Sequence, residues 1–400
     1  MENSKNFTET KMINFKVSAP GKVILYGEHA VVYSKTAVAA SLDLRTTLEY
    51  KNSSDDLIDR QIIILLMPKI RVKCEIPIEK IQNHFFNNVN CPKFIDNNYE
   101  EFYHHIQLFI ESIGYMNNQQ KFGLEAFFYL FIAIGQMENL VIEPFELLID
   151  SALAISSGLG SSASYSVCIA TCFLHLSNLQ KSQSTELNKN ETLELISKYA
   201  MNCEKIMHGT PSGVDNSICT YGSIIEFKRG EKLEPILGVK TMRILLVDTR
   251  VQRSTKALVD KLADLKNKYP DIFIPVIDSI DNVSKKAIEV IKRIRNLSED
   301  NSEIIHQAYQ ELMTLMEINQ GLLATCQVSH PSLDRICAEA KNYGLAAKLT
   351  GAGGGGYAYI LLLPDTQTEI IASISKKLIA NGYLVTLTNL GGFGVQIHSL

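Results

Sequence analysis

Apolar positions along this chain switch repeatedly between a period of two and a period near 3.6. Asn14 to Val17 and Lys22 to Tyr26 read as strands broken by a Pro20-Gly21 turn, and Leu42 to Tyr50 and Gln61 to Leu66 read as further strands around a polar turn. An N-terminal sheet is the expectation. Asn83 to Tyr99 is rich in asparagine and reads as an irregular surface insertion, whereas Glu125 to Gln136 reads as a buried helix and Phe145 to Ile149 as a strand. After a glycine-containing loop, Ala163, Val167, Ala170 and Leu174 form an apolar stripe of helical period. Asn178 to Asn190 is polar and marks a loop. Glu191 to Met207 then has helical spacing and is expected to stop at Gly209.

The character changes around Phe227, where Arg229-Gly230-Glu231 predicts a turn before an apolar strand from Arg243 to Asp248. Amphipathic helices are predicted at Ser254 to Tyr269, Asp278 to Asn296, Ser302 to Ala324 and Ser332 to Tyr343. A strand at Tyr357 to Leu363, a helix at Thr366 to Asn381 and a terminal strand pair follow. The pattern predicts an α+β fold in two domains, 1–228 and 229–400, and a chain of 400 residues that is 46% hydrophobic is long enough to bury two cores.

Composition narrows the partners. A net charge of −4 gives no field to attract nucleic acid, and Lys285-Lys286 and Lys292-Arg293 fall on a helical pattern as a solvated face. The eight cysteines lack paired metal-ligand spacing; Cys168 and Cys172 stand one helical turn apart among apolar neighbours, as buried free thiols in a reducing compartment would. The first residues are polar, and no apolar run approaches the ~18 residues of a membrane span. The tail His398-Ser399-Leu400 matches a peroxisomal address only weakly, so a cytoplasmic protein without membrane or nucleic-acid partners is expected.

The sharpest chemical signal is Gly158-Leu159-Gly160-Ser161-Ser162-Ala163-Ser164 at the start of the striped helix. Glycines let a backbone approach an anion, and the first N–H groups of a helix, reinforced by its dipole, point at one; a plain capped helix after a flexible loop is the alternative. A second glycine run, Gly351 to Gly356, formally satisfies G-x-G-x-x-G but precedes a strand instead of opening a helix, which rejects the dinucleotide-binding reading. No G-x-x-x-x-G-K-[ST] exists, because Gly21-Lys22 is followed by Val23, and a protein-kinase catalytic loop is absent. Four consecutive glycines could also be no more than a mobile turn.

Three charged residues complete the chemistry. Helical spacing puts Glu204 on the partly buried side of its helix with Leu193 and Ala200, where a carboxylate needs a cation or a lysine. Asp215 follows a Thr-Pro-Ser-Gly turn that could deliver it from a loop as a general base, or could leave it an Asx cap. Lys22, beside the Pro-Gly turn, could stabilise Asp215 and a transferring phosphoryl group; an isolated strand lysine would otherwise be exposed and inert.

Three segments together, Ser18-Ala19-Pro20-Gly21-Lys22 through Gly27-Glu28-His29-Ala30-Val31-Val32-Tyr33, Gly158 to Ser164, and Lys348-Leu349-Thr350-Gly351 through Gly356, resemble the signature motifs of the GHMP small-molecule kinases. Within that family the details are similar to the branch whose acceptor is mevalonate, from about Val17 to His398. The resemblance implies a two-domain fold with its active site in the inter-domain cleft, and transfer of the ATP γ-phosphoryl group to the primary hydroxyl of (R)-mevalonate. It assigns Lys22 and Asp215 as catalytic lysine and base, and Ser162 and Glu204 as holders of Mg²⁺. Gly158, Leu159, Gly160, Ser161, Ser162, Ala163, Gly351, Gly353 and Gly354 would bind nucleotide. Glu28 and His29 would lie by the acceptor, as would Arg253 and Thr255, which match an R-N-T segment in which Ser254 replaces asparagine. Galactokinase-like members continue GEH with T-D-Y, which Ala30-Val31-Val32 does not fit.

The chain departs from the family in having Ala154-Ile155-Ser156-Ser157 where P-P-G-A is common and Tyr33-Ser34 where H-G is usual, which bears on nucleotide affinity more than on the reaction. The resemblance also implies a homodimer and feedback inhibition by isoprenoid diphosphates. A sibling kinase for phosphomevalonate, galactose or homoserine, and a catalytically silent metabolite sensor on the same fold, are the competing readings.

Overall fold

Long runs of mostly apolar residues, continuously buried over the middle of the first and the start of the second, make β1 (Asn14–Tyr26) and β2 (Ala37–Lys51) the two longest strands among the described residues, paired antiparallel along nearly their whole length. The computed structural model describes residues 12–400 apart from 53–54, 95–98, 156, 209–211, 232 and 299. The expected stop of the Glu191 helix at Gly209 and part of the turn before Asp215 therefore lie outside the described residues. A short α1 (Asp55–Arg60) leads to β3 (Ile62–Met67) and β4 (Val72–Pro77), and α2 (Ile78–Ile81), α3 (Tyr99–Ile113) and α4 (Asn118–Glu138) precede β5 (Phe145–Ser151). Then come α5 (Ser161–Gln180), α6 (Asn190–His208), α7 (Val214–Tyr221), β6 (Ile224–Phe227), β7 (Glu234–Ile236) and β8 (Met242–Asp248). Four helices follow, α8 (Thr255–Lys268), α9 (Pro270–Arg295), α10 (Ser302–Thr325) and α11 (Pro331–Asn342), and the chain closes with β9 (Ala346–Leu349), β10 (Tyr357–Leu361), α12 (Thr368–Ala380), β11 (Leu384–Leu390) and β12 (Gln396–Ser399).

These strands form one hydrogen-bonded sheet in the order β4-β3-β5-β2-β11-β8-β10-β9, with β1 on β2, β12 on β1, and β6 carrying β7 on β2. Among the described residues only β3 and β5 pair in parallel. β2 is the shared member: Ala37 to Ala40 pair with β6, Leu42 with Leu390 of β11, and Thr46 to Lys51 with β5. The buried side chains follow the same division. Val17, Ala19, Leu48 and Tyr50 join the core under α4 and α5, whereas Val23, Leu25, Val38 and Ala40 join a second core with Ile244, Ile291, Leu312 and Tyr359. The two long strands thus pass from one core to the other, and Lys22 stands at the crossing.

Several elements differ from the sequence reading for identifiable reasons. Pro20-Gly21 does not break β1; it is a bulge, with the register shifting between Pro20 and Gly21, the one kind of strand interior that tolerates proline. α9 begins at Pro270 instead of Asp278, with a proline at the first helical position, where its missing N–H costs nothing. Asp215 does not come from a loop: it lies in the first turn of α7, with Gly213 as N-cap, so it is not itself the cap. α5 is buried all round instead of along one stripe, with Ser164, Cys168, Thr171 and Phe173 as enclosed as Ala163 and Val167. The Asn-rich insertion is not wholly an irregular surface: Gln82–Phe86 forms a helical turn with Phe85 buried, and Phe94 is buried against Tyr129 and Phe102. All eight cysteines are free thiols, and among the described residues no helix is long and apolar enough to cross a membrane.

Candidate active site

The site grows from the crossing point of β1. Gly160 is the N-cap of α5 at φ 75°, a left-handed conformation in which a Cβ would come within 2.7 Å of Lys22 Cγ. Glycine therefore lets the loop lie directly on the lysine stem, and Lys22 N donates to Leu159 O at 2.8 Å. Leu159 and Ala163 turn their side chains into the cores, while Ser161 and Ser162 stay half-buried on the outer side of the first turn. The N-terminus of this 20-residue helix opens on a cavity of about 610 Å³. Gly158, Gly160, Ser161, Ser162, Glu204, Asp215, Arg253 and Thr255 all line that cavity.

Lys22 Nζ stands 3.1 Å from Asp215 Oδ1, with the lysine side chain almost enclosed and the aspartate partly open to the cavity. Glu204, projecting from α6, is 8% exposed, and its Oε2 is buried with no hydrogen-bond partner. Burial, helped by the negative charge of Asp215, pushes its carboxyl up to about 7, against the opposing pull of Lys22 and of the Asn216 side chain. A buried carboxylate oxygen left without a donor is costly in the absence of a cation, and Ser162 lines the same cavity. This donor set, oxygen atoms from one carboxylate and one hydroxyl, suits a hard ion such as Mg²⁺ that takes its remaining ligands from phosphates and water. Among the described residues no group of three or more His, Cys, Asp or Glu could hold a metal by itself.

Away from the loop, the cavity wall is apolar, with Met67, Ile70, Phe122, Ile149 and Ile155, and carries Lys69, Gln119 and Asp150 as polar points. Such a chamber, polar at a helix N-terminus and apolar beyond, fits a molecule with a phosphate end and a flat or greasy end.

The remaining sequence-predicted residues, Arg253 and Thr255 apart, are not among those that line the cavity. Gly351, Gly353 and Gly354 do not line the cavity; Gly354 N donates to Val328 O at 2.8 Å, and a Cβ on Gly353 would stand 2.1 Å from that same oxygen. Glu28 is 1% exposed and forms an ion pair with the fully buried Lys348, while Asn319 Nδ2 donates to its other oxygen at 3.1 Å. Burial pulls the Lys348 ammonium below its usual value and Glu28 opposes that pull. His29, at φ 62°, places Nε2 2.8 Å from Ala352 O, and burial lowers its pKa. Glu28 and His29 thus tie the end of β1 to the second glycine run. Arg253 lines the cavity and also bridges the two glycine segments, with Nη2 donating to Ser157 O and Nη1 to Thr350 O, both at 3.2 Å. Sequence reasoning missed Lys348, Asn319 and Thr350, although Lys348 and Thr350 stand in the quoted motif; a lysine inside a short apolar strand was the available signal.

Residues 125–223 match the GHMP kinases N terminal domain and residues 301–380 the GHMP kinases C terminal family. The mevalonate kinase of Bos taurus is 33% identical over 394 residues, covering 96% of this chain and 94% of that protein, and that of Dictyostelium discoideum is 34% identical over 400 residues, covering 96% and 97%. The crystal structure of Methanococcus jannaschii mevalonate kinase superposes with a TM-score of 0.66 at 26% identity, covering 95% of this chain and 99% of that one. The structure of L. major mevalonate kinase in complex with R-mevalonate shares the fold, with a TM-score of 0.64 at 22% identity, covering 95% and 96%. Fold and site together define a GHMP kinase, an ATP-dependent enzyme for small molecules. Within that class the chain belongs to the mevalonate kinase family.

Proposed function

We propose that this chain transfers the γ-phosphoryl group of ATP to the primary hydroxyl of (R)-mevalonate, giving (R)-5-phosphomevalonate and ADP. The observation that carries the reading is the Lys22–Asp215 pair at 3.1 Å, on the edge of a cavity that receives the N-terminus of α5. Asp215, held against the Lys22 ammonium, accepts the proton of the attacking alcohol at Oδ1 or Oδ2. Lys22 holds that carboxylate in place and offers positive charge where the transferring group gathers negative charge. The first-turn N–H groups of α5 and the hydroxyls of Ser161 and Ser162 receive phosphate oxygens.

Glu204 and Ser162 would hold Mg²⁺, which neutralises the triphosphate and fixes the direction of its terminal group when bound. The orphaned Oε2 of Glu204 supports that assignment. Catalysis of this kind is positioning plus electrostatics, so no residue forms a covalent bond to substrate. The reading takes 1–228 and 229–400 as the two domains, places the enzyme in the cytoplasm as a homodimer, and makes it subject to isoprenoid diphosphates. The apolar cavity wall of Met67, Ile70, Phe122, Ile149 and Ile155 supports the last point, since a prenyl tail could lie there with its diphosphate at α5.

A coupled ADP-release assay with mevalonate, phosphomevalonate, galactose and homoserine tests the assignment. Mevalonate is expected to give the highest kcat/KM by at least about a hundredfold. Preference for another acceptor overturns the substrate, and no acceptor-dependent release with any of them favours a silent sensor.

A further inference from the structure

The edge of β1 opposite β2 is covered by β12 only from Phe15 to Ser18. Where Lys22 stands, among the described residues no strand continues that pairing. Two other groups take its place. Leu159 O accepts from Lys22 N at 2.8 Å, and the hydroxyl of Thr350 accepts from Ile24 N at 3.1 Å while donating to Ile24 O at 2.8 Å. One side chain thus satisfies both backbone groups of a strand residue, as a neighbouring strand would.

Thr350 is 4% exposed, so it is largely shielded from solvent. Its carbonyl accepts from Arg253 Nη1, and Arg253 Nη2 reaches Ser157 O. The bonds close a ring: the loop at 157–159, β1 at 22–24, Thr350, Arg253, and the loop again. Glycine permits it, because a Cβ on Gly158, Gly351 or Gly356 would come within 2.5, 3.2 or 2.8 Å of the guanidinium. The ring runs through the backbone of Lys22, whose ammonium meets Asp215.

We propose that Thr350 and Arg253 form a clasp that sets the Lys22 strand and the phosphate loop against each other, with Thr350 a positioning residue that acts through Lys22 without touching substrate. The inference rests on the reading of Lys22 and Asp215 as the reacting pair. A reacting geometry tolerates little displacement, and misplacement of about 1 Å can cost about a hundredfold in rate. A hydroxyl that locates the lysine strand to hydrogen-bond accuracy therefore contributes to kcat.

Thr350→Val keeps the shape and removes the hydroxyl, and Thr350→Ser keeps the hydroxyl. Measured well below both melting temperatures, Thr350→Val is expected to lower kcat at least about tenfold with KM for mevalonate within about threefold, and Thr350→Ser to stay within about threefold of the parent kcat. Arg253→Met is expected to weaken ADP binding about tenfold in a calorimetric titration without acceptor, because the loop loses its tie at Ser157. Parent kcat in Thr350→Val, or a loss as large in Thr350→Ser, overturns the clasp. Should Thr350→Val not fold, unchanged ADP affinity in Arg253→Met overturns it instead. If the parent enzyme itself releases no ADP with mevalonate, the substrate reading fails, while the ADP titration still tests the clasp.

Discussion

At the scale of single residues, the buried carboxyl of Glu204 costs the fold stability as pH rises. Its carboxyl is ordinary in the unfolded chain, near 4.5, and is raised to about 7 in the fold, so the folded state holds the proton more tightly. The sign follows. The fold is favoured fully below about 4.5, and that contribution is lost as pH rises through about 7, where a charged carboxylate must sit buried with Oε2 unpartnered. Glu204→Gln is therefore expected to raise the stability of the metal-free protein at pH 8 by on the order of 2 kcal/mol and to leave it unchanged at pH 4, while lowering turnover. Thermal melts at the two pH values check it, and a parent-like melting temperature at pH 8 contradicts it. Glu204, Asp215 and Lys22 were legible in the sequence because each is a charge in a segment that otherwise reads as core or turn. Lys348 and Thr350 were not, because their partners, Glu28 and Ile24, are 320 and 326 positions away and only the topology brings them together.

At the scale of elements, the glycine loop and α5 behave as one part. Gly160 needs a left-handed backbone, and its missing Cβ makes room for the stem of Lys22. Gly160→Ala is expected to cost about 1–3 kcal/mol in chemical denaturation and to raise KM for ATP, because the first turn of α5 is displaced from the lysine. Parent-like stability with parent-like KM would show that the contact is not required. The period of the apolar residues revealed α6, α10 and α11 to within about a residue of their ends, since each is a long run of helical spacing. It did not reveal α7 or β9. α7 has eight residues behind a glycine that reads as a turn, and β9 is a four-residue strand containing a lysine that only burial against Glu28 makes compatible with a core.

At the scale of the molecule, β1 and β2 run through two cores, and polar links fasten the glycine runs on either side of the crossing. The Glu28–Lys348 pair is the most enclosed of these, with side chains at zero exposure. Lys348→Met leaves the glutamate buried and uncompensated, so a loss of about 3–5 kcal/mol is expected in urea unfolding, and Glu28→Gln added to it is expected to restore much of that loss. Additive losses in the double variant would contradict a paired role. The joining of the sheet was not readable from the chain, because β2 takes β6, β11 and β5 in succession and β12 returns to β1, pairings without a local signal. The alternation of strands and helices did give the α+β class, and of the three glycine-bearing motifs Gly158, Gly160, Ser161 and Ser162 line the cavity and Lys22 stands at its edge, whereas Gly351, Gly353 and Gly354 do not line it.

In the proposed reaction Asp215 takes the proton of an alcohol beside Lys22 while the nucleotide is held elsewhere in the cavity. Acceptor-dependent ADP release by Asp215→Ala, measured with (R)-mevalonate at saturating ATP alongside direct ATP binding, tests it most directly. Turnover is expected to fall by at least about a thousandfold with ATP affinity within about threefold of the parent. Near-parental turnover in a folded Asp215→Ala protein would contradict it.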